Sequence, residues 1–391
     1  MVCKIIIAAF AFACAFGTTG AAPYIPASGA QVLERLPGGA APVRRDLQRL
    51  RTALDANPGN LELATMLAQR YIEQSRRDGD PRYLGYAQAA LAPWWSQPQP
   101  PPQVAVLRAT LRQSTHQFGA ALADLDQVLK QDSGNSQAWL TRATVQLITG
   151  DFAGARASCM RLYSRAPELV VQTCLSNVGS VSGAASASYE RLLQTYAARS
   201  DSAPAIRAWV ATLLGEMAAR LGRGAAADTH FREALALDPS DSYLLAAYAD
   251  FMLDAGRAGE VVRLLKDKTA ADALLLRHAI ALKTARMPEA ARASAELAAR
   301  FDAARRRRDS VHQREEARYA LALRGDAAAA VRLAKLNWAV QKEPADLRIL
   351  AEAAVASGDA EARALVRDWL ARSRIEDATI AATVARLEGK A

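Results

Sequence analysis

Lysine is scarce in this chain: eight lysines stand against 41 arginines among 391 residues. Aromatic residues make up only 6%, and cysteine occurs four times, at positions 3, 14, 159 and 174. Runs of β-branched residues are few, which removes the usual signature of strands. No stretch reaches the roughly 18 to 20 consecutive apolar residues that a membrane-spanning helix needs. The motifs that carry common chemistries are also missing. There is no HExxH, no P-loop, no dinucleotide GxGxxG and no GxSxG, and the nearest echo, GSVSG at 179–183, has Val181 where a nucleophile would stand. His116, His230, His278 and His312 are scattered, and no Asp, Glu and His cluster has metal-ligand spacing. These absences argue against an enzyme, and no catalytic, cofactor-binding or metal-binding residue is assigned.

What is present is apolar matter and helix formers. A 51% hydrophobic content over this length exceeds what one compact core usually holds, so several domains or a repeat array follow. Alanine and arginine, both abundant, lie at the favourable end of the helix-propensity scale. The formal net charge is +9, a balance that attracts acidic partners, nucleic acid or anionic lipid.

The N-terminus, MVCKIIIAAFAFACAFGTTGAAPYIP, places Lys4 before an apolar run from Ile5 to Phe16, then small residues to Ala22. That is the layout of a secretory signal peptide over residues 1–22, with cleavage expected near Ala21 or Ala22. Lipidation at Cys14 is a competing reading, against which Ala11 stands where such signals carry Leu; retention as an anchor is another. Export makes nucleic acid an improbable partner and leaves a protein or peptide partner, or a membrane-associated complex. Export places the chain in a bacterial periplasm or at its membranes, and the arginine and alanine excess points to a GC-rich genome. Removing the leader takes away Lys4 and lowers the charge from +9 to +8.

Small and large residues recur as a comb. Ala121 and Leu125 are followed by Ala155 and Cys159, then by Ala227 and Phe231, and then by Val261 and Leu265. The step is about 34 residues, and roughly twice that between the second and third sets. Pro167 and Pro239 close two of these units, and Gly150 and Gly222 break them in the middle. A fixed period of this length marks a stacked repeat of helix pairs, in which small residues at 143, 155, 215 and 227 let two helices approach. No pair can bury its face alone, so the units stack.

On these residues the sequence resembles the tetratricopeptide repeat family. Trp139, Ala155 and Pro167 match the family pattern in one unit, and Leu214, Gly215, Ala227, Phe231 and Pro239 match it in another. Elsewhere, as at Ala68, Tyr71, Ala279, Ala291 and Ala298, only spacing and size agree. The resemblance implies an all-α, right-handed α-solenoid of stacked antiparallel helix pairs. The expected organisation is a flexible segment over 23–44, a stretched first unit over 45–95, a Pro-rich connector over 96–102 and a repeat array over 103–374. Within it, the Gly- and Ser-rich unit at 170–207 is degenerate and a place where two sub-arrays would divide. A capping helix over 375–391 closes about eight pairs. The charged run from Arg305 to Arg318 reads as a solvated helix end or turn.

In the family, first helices line a concave groove that holds a peptide or a partner's helix. By position this implies Leu140, Thr144, Trp209, Glu216, Arg220, Tyr243, Asp250, Arg277, Ile280 and Lys283 as the partner groove. The clamp that grips chaperone tails is not matched, since Thr212, Glu216, Ala246 and Asp250 stand in its places. The implied function is an exported scaffold for protein–protein interaction, with an accessory role in outer-membrane or polymer or protein secretion assemblies as the alternative. A regulatory subunit or an enzyme with an unrecognised site is the rival from another class. Cys159 and Cys174 are either two buried thiols or a disulfide across successive helices, because Pro167 turns the chain back between them.

Overall fold

The computed structural model describes residues 28, 41–307, 309 and 311–389. The expected signal peptide and Arg308 fall outside them, as does most of the 23–44 segment. Residues 47–391 form one compact unit, and every described element in it is helical. Helices α1 (Ala41–Ala56), α2 (Leu61–Asp78), α3 (Arg82–Ala90) and the short α4 (Ala92–Trp95) come first. Helices α5 (Pro102–Ser114) and α6 (Phe118–Gln131) pair next, then α7 (Ser136–Ile148) and α8 (Phe152–Met160), then α9 (Glu168–Ser180) and α10 (Ala185–Ala198). The middle pairs are α11 (Pro204–Arg220) with α12 (Gly224–Leu237) and α13 (Ser242–Asp254) with α14 (Ala258–Leu265). Then come α15 (Asp272–Thr284) with α16 (Ala290–Arg306), and α17 (Gln313–Tyr319), running into a π-helical turn at Ala320–Arg324, with α18 (Ala327–Val340). Helices α19 (Pro344–Ser357) and α20 (Ala360–Ser373) form the last pair before α21 (Ala381–Leu387).

Among the described residues there are thus nine antiparallel pairs, counting α2 with α3. The expected number was about eight. Several first helices begin at local capping signals. Asn60, Asn135 and Asp241 each accept a hydrogen bond from the amide three residues on, at 3.0, 2.9 and 2.8 Å, at the starts of α2, α7 and α13.

The comb is in register. Ala121, Leu125, Ala155, Cys159, Ala227, Val261 and Leu265 have no exposed surface and Phe231 has 1%. The tightest contact is between α11 and α12, where a Cβ placed on Gly215 would lie 2.9 Å from the Phe231 ring. Phe231 also stacks on Tyr248 of α13, with ring centroids 5.3 Å apart, and so ties one pair to the next. Gly150, at φ 83, is needed twice over: its backbone is left-handed, and a Cβ would come within 2.5 Å of the Trp369 ring.

Three expected boundaries shift. The degenerate unit is a regular pair, α9 and α10, whose Gly–Ser stretch forms only the turn at 181–184, and no division into sub-arrays occurs there. The connector is shorter than 96–102, because Pro102 starts α5 with the ring φ already helical, while Trp94 and Trp95 belong to the helical turn of α4. It is also pinned. Arg108, 3% exposed, donates to the carbonyls of Trp95 and Gln97 at 2.6 and 3.0 Å while pairing with Asp124 at 2.7 Å. The closing helix begins at Ala381 rather than 375, after a turn in which Asp377 caps the amide of Thr379 at 2.9 Å. It is not merely a charged cap, since Ile380 and Leu387 are buried in the cluster that includes α19.

The C-terminal pairs fold back onto the middle of the array. The Lys342 amide donates to the Ile148 carbonyl at 2.7 Å, Phe152 meets Trp369 edge-on at 5.6 Å, and the Ala185 amide donates to Glu376 at 3.4 Å. Cys159 of α8 and Cys174 of α9 are joined by a disulfide with Cα atoms 5.6 Å apart, inside a buried cluster with Leu162 and Val178.

Two stability outcomes follow. Phe231→Ala should cost about 3 to 5 kcal/mol in urea unfolding, the range for emptying a buried aromatic site, and a loss below about 1 kcal/mol would mean that the comb is out of register. Reducing the disulfide should lower stability by about 3 kcal/mol through loop closure over this span. Intact mass after alkylation without reductant is expected to show no label on Cys159 or Cys174.

Candidate site on the inner wall

First helices contact one another in sequence from α5 to α19 and make the inner wall of the array. On α11, Trp209, Leu213, Glu216 and Arg220 recur at helical spacing and share one face. On α13 the corresponding face carries Tyr243, Ala247, Asp250 and Asp254. Opposite them stand Arg277 of α15, Arg314, Glu315 and Arg318 of α17, and Glu343 and Arg348 at the start of α19. Between these walls lies a cavity of about 140 Å³, lined among others by Glu216, Arg220, Phe251, Arg314, Arg318 and Arg348.

Asp250 is the centre of charge. Arg277, 7% exposed, donates to its Oδ2 at 2.7 Å, and Arg318 Nη1 stands 2.6 Å from its Oδ1, a charge contact that lies outside hydrogen-bonding angles. Burial alone would push the Asp250 carboxyl up, but the two guanidinium groups outweigh it and hold it at about 2. Arg314 donates to Glu343 at 2.9 Å and reaches Asp346 at 3.4 Å. Asp346, with no exposed surface, also accepts from Asn337 at 2.7 Å and from the Glu343 amide at 2.8 Å, so it locks the α18–α19 junction. Arg348 holds Asp254 with both terminal nitrogens, at 2.6 and 2.7 Å, and Glu352 through Nε at 2.8 Å.

Two carboxyl groups move the other way. Burial raises the Glu216 carboxyl above its usual range; Arg220 and the Tyr243 hydroxyl oppose this without overcoming it, and the charges of Glu343 and Asp250 add to it. Burial likewise raises Glu343 against the pull of Arg314. Tyr243 keeps 60% of its surface open, yet the charge of Glu216 beside it, and then the protein mass around it, raise its hydroxyl.

Of the ten groove residues expected from the sequence, five come together at this wall: Glu216, Arg220, Tyr243, Asp250 and Arg277. Trp209 lies two turns earlier on the same face of α11 and is 38% exposed. The other four do not join them. Leu140 packs beside the disulfide cluster and Ile280 beside Leu276 and Phe301, while the Thr144 hydroxyl bonds back to the Leu140 carbonyl at 3.0 Å. Lys283 is spent on the Ala322 and Leu323 carbonyls of the π-helical turn, at 2.7 and 3.1 Å. Sequence spacing along each helix missed the partners from α17 and α19. The signal was the charged run 305–318, whose second half, with Arg314, Glu315 and Arg318, faces the inner wall instead of solvent. Its first half behaves as a helix end: Arg306 is the last residue of α16 and Arg305 pairs with Glu316.

The histidines stay apart. His116 sits in a turn at φ 58, and His230, 8% exposed, shares a 3.0 Å hydrogen bond with the Tyr189 hydroxyl. Among the described residues no three His, Cys, Asp or Glu side chains are placed to hold a metal ion, and no helix is long and apolar enough to cross a membrane.

No family model matches the sequence, and no curated protein matches it. Among solved structures, the chain is similar to one from the APC/C hetero-tetramer Cut9–Hcn1, at 13% identity and a TM-score of 0.49, with 84% of this chain covered and 59% of that one. It thus spans 59% of that protein's length. It is also similar to human IFIT1, solved as a dimer with m7Gppp-AAAA, at 14% identity and a TM-score of 0.41, covering 89% and 87%. A tetratricopeptide repeat protein from Parabacteroides merdae is similar at 12% identity and a TM-score of 0.36, covering 78% and 98%. Likeness at this level says nothing of what the chain binds.

Asp250→Asn tests the charge network. With the carboxyl at about 2 against an ordinary 3.8, the native pairing contributes about 2 to 3 kcal/mol. That contribution is present above 3.8 and is lost as pH falls through about 2. Urea midpoints should therefore separate wild type from variant at pH 7 and converge toward pH 2, and equal midpoints at pH 7 would contradict the pairing.

The stacked antiparallel pairs, the recurring interval of about 34 residues and the buried comb of small and large side chains make this chain a tetratricopeptide-like α-solenoid.

Proposed function

We propose that this chain is an exported scaffold that holds a protein or peptide partner against the inner wall of its array. The observation that carries the reading is the exposure of two aromatic rings, Tyr243 at 60% and Trp209 at 38%, on a wall whose charges are largely paired with one another. Aromatic side chains are enriched where partners dock, because a rigid ring buries much area for little entropy. Paired charges around them favour register over raw affinity.

Export rests on the leader-like N-terminus together with the Cys159–Cys174 bridge, since buried disulfides persist in oxidising compartments. N-terminal sequencing of the exported protein should begin just after Ala21 or Ala22. The double variant Trp209→Ala/Tyr243→Ala should keep its helical circular dichroism and lose the stoichiometric partner that co-purifies with wild type. A partner that stays bound to this variant would place the docking surface elsewhere.

A further inference from the structure

Glu216 and Arg220 stand one turn apart on α11, with the acid on the N-terminal side, the arrangement in which a helix ordinarily closes an ion pair. Here each is drawn away from the other. Glu216 Oε1 accepts from the Tyr243 hydroxyl of α13 at 2.8 Å. Arg220 Nη2 donates to the Ser180 hydroxyl of α9 at 3.2 Å, and its buried Nε has no hydrogen-bond partner. The other arginines lining the cavity are committed to carboxylates: Arg277 and Arg318 to Asp250, Arg314 to Glu343, and Arg348 to Asp254. The same cavity is thus lined by a positive group tied to one hydroxyl and a negative group tied to another, the two hydroxyls coming from neighbouring helices.

We infer that this cavity binds a small zwitterion, an α-amino acid of about the size of alanine to valine, with its carboxylate on Arg220 and its ammonium on Glu216. The volume, about 140 Å³, is close to the ~150 Å³ of an engineered cavity that admits benzene, so six to eight heavy atoms are the scale of occupant. A guanidinium matches a carboxylate in a forked pair. An anion alone would place further negative charge beside Glu216, and a cation alone would add positive charge to a lining that already holds Arg220, Arg314 and Arg318. A zwitterion pairs with both without changing the net charge of the site. Ala219, Ala247 and Phe251 supply the apolar lining on which a short aliphatic side chain rests. The raised Glu216 carboxyl accords with a group short of positive partners, and an ammonium would draw it back toward its ordinary range.

The test is calorimetric titration of the full mature protein with L-alanine, alongside N-acetyl-L-alanine and L-alaninamide, which each keep one charge. L-alanine should bind one to one, and each analogue at least tenfold more weakly. Glu216→Gln and Arg220→Gln should each weaken L-alanine binding at least tenfold, with helical circular dichroism preserved. Tyr243→Phe, which removes no charge, frees Glu216 to close on Arg220 and should weaken binding as well, so the idea stays testable if a charge variant misfolds. No saturable heat with millimolar L-alanine, an analogue that binds as tightly as L-alanine, or unchanged affinity in Arg220→Gln would overturn it. The measurement involves no protein partner, so its result is independent of the scaffold reading.

Discussion

The packing of the Phe231 ring against the bare backbone of Gly215 sets the spacing on which the rest of the array depends. A Cβ added at Gly215 would lie only 2.9 Å from that ring, so helices α11 and α12 approach more closely than a larger residue would allow, and the ring reaches across to Tyr248 of the next pair. On the second helices of two other pairs, Ala121 and Ala155 are likewise fully buried. Each large neighbour then fills the space between pairs, so that no pair is stable by itself and stability grows with stacking.

That spacing has an electrostatic consequence. First helices brought side by side present their inner faces to one another, and the C-terminal pairs fold back so that α17 and α19 face α11 and α13. Charges far apart in the chain meet in a partly dry space. Most are neutralised pairwise, as with Arg348 and Asp254, 94 residues apart, or Arg277 and Arg318 around Asp250. Such pairs add little net stability over apolar contacts, but they penalise wrong registers because a misplaced charge would be buried alone. At Glu216 and Glu343 burial outweighs the pull of the neighbouring arginines and raises the carboxyls, and Glu216 lines the cavity.

Two covalent and polar ties hold the segments that helix stacking alone would leave loose. The disulfide joins α8, one of the shortest second helices, to α9, beside the Gly–Ser turn at 181–184. Arg108 does the same for the Pro-rich connector, which has carbonyl groups but few amides to offer, by donating to two of those carbonyls from a nearly buried guanidinium.

How much of this was legible in the chain itself divides along the range of the interactions. The helical class, the interval of about 34 residues, and the burial of Ala121, Leu125, Ala155, Cys159, Ala227 and Phe231 are local or periodic properties, set by propensity and by the spacing of small and large side chains. The N-caps at Asn60, Asn135 and Asp241 are local in the same sense. Five of the ten groove residues meet at one place because position on a helix face follows from sequence alone. What the sequence could not contain was the fold-back of the C-terminal pairs, which depends on the accumulated angle between many stacked units and on contacts such as Lys342 with Ile148. For that reason the run 305–318 read as solvated, although Arg314 and Arg318 lie on the inner wall. The diversion of Glu216 and Arg220 from each other is decided the same way, since Tyr243 and Ser180 reach them from other helices and only the packed array brings those hydroxyls within hydrogen-bonding distance.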